Sequence, residues 1–406
     1  MEECHRYFDL DRRRRDARAT SDGAGGTHRA TSEKHFRQRI DRKITMELQE
    51  LQAKLDEGIA TKMTPCAVLT AWQLHGASFR LTAGCHTYES DRKVKEDDLF
   101  DLASITKCVG TTTLCMWLYD QGKLDIHAPL YEYLPEFLDG PQEQLAWRKA
   151  VTIRHVMAHC AGFPPFLKFY VTHAHVTDWI ARRKLVLSTA LTYEPGKDTV
   201  YSDIGFMIMG EVVRQISGKR VDELAPEVFF KKWGMKDTTY NPDKSLWPRC
   251  VPTELKKDKD GDGYWQGVVH DENARWYEGA AGHAGLFSTA PDLDLYAMNM
   301  LTGGGGVFSQ QTIDVFTTRA NIVQGSSRCL GWDSPEQPSS GGLHVSPCSF
   351  GHTGFTGTSF WMDPEKGVAV ALLTNAVHPK RECKGNGYFP WRNRMHTYAY
   401  EVLCVK

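Results

Sequence analysis

Asp101-Leu102-Ala103-Ser104-Ile105-Thr106-Lys107 is the stretch on which the reading of this sequence turns. From Ser104 to about Tyr119 the pattern is helical, and Gly122 stands where a glycine closes a helix. Residues three apart share a helix face, so the Ser104 hydroxyl and the Lys107 amine can meet. A serine hydroxyl is a poor nucleophile until a base takes its proton. A lysine can help if burial and neighbouring cations lower its pKa. The start of the helix adds N–H groups where an oxyanion would form. By itself this four-residue pattern is weak, and a solvated lysine one turn beyond an N-terminal serine explains it better.

Outward from this helix, strand-like runs lie toward both ends of the chain. Met46, Leu48, Leu51, Leu55 and Ile59 recur at helical spacing, so a first amphipathic helix is expected from near Ile44. Ala67 to Gln73 and Ser78 to Leu81 flank His75-Gly76 as a β-hairpin. Thr358 to Met362, the turn Asp363-Pro364-Glu365-Lys366-Gly367 and Val368 to Leu373 form a second hairpin, and a last helix is expected from Arg392 to Val402. Strands at both ends with helices between them predict an α+β fold. One antiparallel sheet flanked by N- and C-terminal helices would come from residues 45–100 and 295–404, and a mostly helical lobe from 101–294. Residues 1–44, polar and carrying the run Arg12-Arg13-Arg14-Arg15, read as a disordered tail.

Two later segments carry chemistry. In Tyr201-Ser202-Asp203 a phenol between cationic amines can be held ionised, act as base and return its proton to a leaving group. Asp203 can also be the N-cap of the apolar helix that follows. In Gly351-His352-Thr353-Gly354-Phe355-Thr356-Gly357 the glycines permit close backbone approach, and a strand edge offers N–H groups to an acyl oxygen.

The order of the three motifs resembles the serine β-lactamase and penicillin-binding superfamily, whose signatures are S-x-x-K, Y-x-N and K-T-G. It is most similar to the branch with class C β-lactamases, esterases and D-alanyl-D-alanine carboxypeptidases. The resemblance runs over roughly residues 45 to 404 and includes Val151 to Gly162, Trp233 to Thr238, Gly282 to Thr289 and Leu372 to Asn375. It implies the β-lactamase/transpeptidase fold, Ser104 as nucleophile, Lys107 as its partner and Tyr201 as general base. It also implies an oxyanion hole from the Ser104 and Phe355 N–H groups, and substrate contacts at His352, Thr353, Gly354, Asp203 and His283.

Two positions depart from that pattern. Asp203 replaces the usual Asn, so a donor for a substrate's acylamino carbonyl is lost and a carboxylate able to pair with Lys107 is gained. His352 replaces the usual Lys, exchanging a permanent cation for a group mostly neutral at pH 7. Both favour an ester over a lactam or a D-Ala peptide, and the H-T-G variant resembles esterase and transesterase members. The expected function is ester hydrolysis or acyl transfer through an acyl-enzyme on Ser104. The alternatives are a D-alanyl-D-alanine carboxypeptidase or β-lactamase, and a catalytically silent scaffold of the same fold.

Composition excludes other classes. Across 406 residues, 49 basic and 50 acidic side chains leave a net charge of −1, too little to draw the chain to nucleic acid. No run of about 18 apolar residues suggests a membrane span. Eleven cysteines lack zinc spacing and are odd in number, and Met1 to Leu10 has no apolar signal region, so a reducing cytoplasmic location is expected. No cofactor is expected. His155 and His159 could in principle ligate a metal, but no Glu follows His155, and no metal is expected. Trp265, Trp276, Tyr264 and Tyr277 could line an acyl pocket or simply pack. Asp258 to Gly263 reads as an exposed turn. The partner expected is a small ester or acyl substrate.

Overall fold

The computed structural model describes residues 45–257, 260–385 and 387–403. The expected tail lies outside these residues, as do Asp258 and Lys259 of the glycine-rich turn. Contacts divide the chain into residues 1–48 and 49–406. In the first unit residues 45–48 are helical.

Eight strands are named in order: β1 (Cys66–Gln73), β2 (Ser78–Gly84), β3 (Phe100–Asp101), β4 (Thr239–Tyr240), β5 (Leu286–Ser288), β6 (Phe350–Thr353), β7 (Ser359–Asp363) and β8 (Val368–Thr374). Two sheets result, in the orders β2-β1-β8-β7-β6 and β3-β5-β4. Every pairing between these named strands is antiparallel. The expected α+β architecture is observed, and both hairpins fall where the turn residues placed them. The later turn works because Gly367 sits at φ +62°, a region most side chains avoid.

Strand register assigns the faces of the large sheet. Thr70 lies opposite Ala371, which lies opposite Phe360. This face meets the helix Ala290–Leu301: Thr70 Oγ1 donates to Asp294 at 2.9 Å and the Phe360 ring lies 5.9 Å from Tyr296. One residue along, Leu69, Leu372 and Ser359 form the opposite face. There Ser359 Oγ meets His396 Nε2 of the helix Tyr388–Val402 at 2.5 Å. Because both faces are covered, β1, β7 and β8 are almost wholly buried and read as continuous apolar runs.

Residues 49–60 form a helix with Leu51 and Leu55 buried. A side chain at Gly58 would collide with the Trp391 indole, so this helix meets the last one closely. That last helix begins at Tyr388, four residues before the expected start, because Tyr388 and Trp391 are buried and belong to its packed face.

Candidate active site

The small sheet positions Ser104. β3 ends at Asp101, whose buried carboxylate accepts the N–H groups of Ala103 at 2.8 Å and His270 at 2.6 Å. Ala103 is held at φ +47°, a conformation that strains a non-glycine residue by about 1–3 kcal/mol. The N–H groups of Ile105, Thr106 and Lys107 then donate to carbonyls three residues back. Lys107–Thr112 is a wider π-turn, and α-helix resumes at Thr113–Asp120. Such turns mark functional positions in many helices. Here Thr111 Oγ1 donates to the Gly282 carbonyl at 2.7 Å, tying the turn to the loop before β5.

Lys107 is fully buried. Its amine lies 3.0 Å from Ser104 Oγ, 3.1 Å from the His283 carbonyl and 2.7 Å from Asp203 Oδ1. An ammonium has three donors, and here it has three acceptors. Burial alone would lower its pKa, but the Asp203 carboxylate and the Tyr201 phenol raise it above the ordinary lysine value. The expected lowering is therefore reversed, because the charged neighbour is an anion rather than a cation.

Asp203 reaches Lys107 because it is not the cap of its helix. Ser202 is the N-cap of Asp203–Ser217, its hydroxyl accepting the Gly205 N–H at 3.3 Å. The same hydroxyl donates to the Pro164 carbonyl at 2.6 Å, and the Asp203 N–H donates to Pro165 at 2.8 Å. The expectation that Asp203 caps the helix is corrected by one residue, which leaves its carboxylate for the amine.

The Tyr201 ring lies 4.9 Å from Lys107 Nζ and 5.1 Å from the Arg328 guanidinium. Its buried hydroxyl has no partner in good hydrogen-bond geometry among the described residues, although Lys107 and Ser104 are near enough to influence it. Burial and Asp203 outweigh the lysine and raise the phenol's pKa. The expected ionised phenol is thus a neutral one at rest. His352 lies 5.6 Å away, ring centre to ring centre. Burial, Arg328 and Lys107 push its pKa down to about 3, and Nδ1 lies 2.7 Å from the Thr353 carbonyl. His352 is neutral, its Nδ1 carrying the proton.

The segment from His352 to Thr358 is bolted to the strand that enters the Ser104 turn. Thr356 Oγ1 donates to the Asp101 carbonyl at 2.7 Å and Thr358 Oγ1 to the Leu102 carbonyl at 3.1 Å. Gly354 fills the closest approach, where an added Cβ would lie 2.5 Å from the Leu102 oxygen. Thr353, half-buried, ends β6 before this turn. Among the described residues neither the Ser104 nor the Phe355 backbone N–H has an acceptor. The Phe355 side chain is exposed, with its ring 5.7 Å from His270 and 4.0 Å from Lys384 Nζ.

Other candidates brace this arrangement. His283 contributes its backbone carbonyl to Lys107, while its ring meets Asp271 at 2.9 Å. Asp271, its burial outweighed by His283, is held below the usual carboxylate range and caps the helix Glu272–Trp276. His270 meets Glu254 at 2.7 Å. His155 and His159 do not converge. The first lies 3.1 Å from Thr152 Oγ1 in its own cap, and the second accepts the Ser202 N–H at 3.1 Å. Tyr277 is buried with its hydroxyl on Glu211, and Trp276 stacks on Phe169. Tyr264 donates to Glu89 and Trp265 lies under Arg275. These four aromatics have packing partners. Sequence reasoning missed Arg328 and Asp101. Asp101 had a local signal, an aspartate two residues before an N–H that needed holding, whereas Arg328 comes from a remote loop and had none.

Among the described residues no helix is long and apolar enough to cross a membrane. The profile of the family described as Beta-lactamase matches residues 51–388. An N-acetylmuramyl-L-alanine amidase of Bacillus subtilis (strain 168) is 33% identical over 309 residues, 70% of this chain and 70% of that protein. A protein of Salmonella agona (strain SL483), provisionally named D-alanyl-D-alanine carboxypeptidase, is 31% identical over 307 residues, 69% of this chain and 70% of its own. In structure the chain resembles EstCE1, a hydrolase with promiscuous acyltransferase activity. The TM-score is 0.70 at 18% identity, covering 88% of this chain and 99% of that one. With S-x-x-K, a tyrosine and H-T-G gathered around one serine, the chain belongs to the β-lactamase family and is a serine hydrolase.

Proposed function

We propose that the protein cleaves carboxylic esters through an acyl-enzyme on Ser104. The observation that carries this reading is the Lys107 amine, 3.0 Å from Ser104 Oγ and 2.7 Å from Asp203 Oδ1. Ser104 Oγ attacks the ester carbonyl as its proton passes into the cluster of Lys107, Asp203 and Tyr201. The N–H groups of Ser104 and Phe355 receive the oxyanion, and the same proton is handed on through Tyr201 to the departing alcohol. Water then attacks the acyl-enzyme by the reverse route, and an alcohol in its place would yield acyl transfer. Asp203 and neutral His352 support the ester: one offers no donor to an acylamino carbonyl, and the other no fixed charge to a terminal carboxylate.

A second reading, amide hydrolysis, is favoured by the names of the relatives at 31–33% identity. Rates on short p-nitrophenyl esters, a chromogenic cephalosporin and a peptide ending in D-Ala-D-Ala separate the two. Ester turnover far above the others is expected, and equal or faster turnover of the amides would reverse the order. A fluorophosphonate probe should label the native protein and not Ser104→Ala. Equal labelling of both would remove Ser104 from the reaction.

A further inference from the structure

Lys107 poses a proton problem. Its amine is buried against three acceptors, one of them a carboxylate, so it is saturated as an ammonium and has no lone pair for the Ser104 proton. Two of those acceptors cannot help: the His283 carbonyl binds no proton at working pH, and Ser104 is the group to be deprotonated. Asp203 is different. It bonds the amine directly at 2.7 Å, and its side chain is 24% exposed, so substrate arriving at the site can strip it of water. Removing water from a carboxylate disfavours its charge and raises its proton affinity.

Resting on the reading of Ser104 as the acylated residue, we propose that Asp203 is the terminal proton acceptor of acylation, reached through Lys107. The Lys107 N–H facing Asp203 breaks first and a carboxylic O–H forms on Asp203, leaving a neutral amine whose lone pair turns toward Ser104. As the Oγ–C bond to the acyl carbon forms, the Ser104 O–H bond breaks and a new N–H forms on Lys107. Lys107 is a cation before and after, beside the developing oxyanion, and Asp203 alone loses charge. The proton returns along the same path, or through Tyr201, when the alcohol leaves.

The groups facing the pair hold their state through this exchange. The Tyr201 phenol is raised, chiefly by burial. His159 and His352 are held neutral by burial and by Arg328 and Lys107. Cys108 is pushed up by burial, and Asp271 is kept ionised by His283. Arg328 is permanently charged. A pH dependence of acylation above neutral pH therefore reports on Lys107.

The test is the pH profile of acylation by a p-nitrophenyl ester in the native protein, Asp203→Asn and Asp203→Glu, with melting curves to verify folding. The native rate should be level from neutral into mildly alkaline pH. Asp203→Asn should fall by about 10²- to 10⁴-fold at pH 7 and climb with pH, because its lysine must first lose a proton to solvent. Asp203→Glu should recover most of the loss with a level profile. An Asn variant with an unchanged profile or native speed overturns the proposal. Absence of acylated Ser104 by mass spectrometry in the native protein would instead overturn the reading beneath it.

Discussion

Two ion clusters flank the Ser104 turn, and they are built to opposite ends. In one, the buried Lys107 amine joins Asp203 to an uncharged hydroxyl, Ser104. In the other, Arg381 binds Glu254 and Glu272 by its guanidinium, and Glu254 also meets His270, on which the Phe355 ring stacks. Arginine does not deprotonate in proteins, so that cluster can hold an element but cannot relay a proton. Lysine can do both. Ion pairing near a site therefore does not identify chemistry; a transferable proton beside a neutral hydroxyl does.

The largest expected effects break the first cluster. Ser104→Ala should abolish probe labelling and lower ester turnover by about 10⁵- to 10⁶-fold, as with other serine nucleophiles. Lys107→Met should cost about 10³- to 10⁴-fold in kcat at pH 7 while the protein still folds. If Arg381→Ala costs as much in kcat, the contrast between the clusters fails.

Gly354→Ala tests how the two regions meet. Its methyl group would press on the Leu102 carbonyl and displace the Phe355 N–H, for an expected loss of about 10²- to 10³-fold in kcat with little change in KM. Native kcat in this variant would mean that the Phe355 N–H does not bind the oxyanion.

Acidification separates stability from catalysis. His352 and His396 are buried and held neutral, each pushed down to about 3. The unfolded chain binds more protons below about 6.5, so stability is full above that pH and declines as pH falls toward 3. Between pH 7 and 5 each should cost up to about 2 kcal/mol. The melting temperature should fall with that slope, and His396→Gln should flatten it.

The smallest effect belongs to the second cluster. Arg381 and His270 hold Glu254, against its burial, below the usual carboxylate range. Its stabilisation is present above the ordinary glutamate pKa and lost on further acidification. Glu254→Gln should lower stability by about 1 kcal/mol, discounted because Arg381 is about a third exposed, and change kcat only a few-fold. A large rise in KM would show that the Phe355 ring contacts substrate.

Much of this was legible in the chain. The serine and lysine lie one helical turn apart, so local geometry brings them together whatever surrounds them. The hairpins were legible because short apolar runs bounded by turn residues are read over a few positions. The cap of the helix Asp203–Ser217 was read one residue late, since serine and aspartate compete for that place and the Pro164 and Pro165 carbonyls decide it. The aromatics at 264–277 have no distinguishing local pattern, and their partners lie far away in sequence.

The sequence by itself determined the family, the α+β order of elements and the serine and lysine that share a helical face, because these follow from short-range spacing. The tertiary structure alone decided their protonation. Whether Lys107 is a base or a cation depends on Asp203, nearly a hundred residues away, on a carbonyl from the loop before β5, and on the burial of Lys107 itself. Charge state follows the surroundings of a group, and only the fold assembles them. The Ser104–Lys107 pair is local, but the direction in which its proton can travel is not.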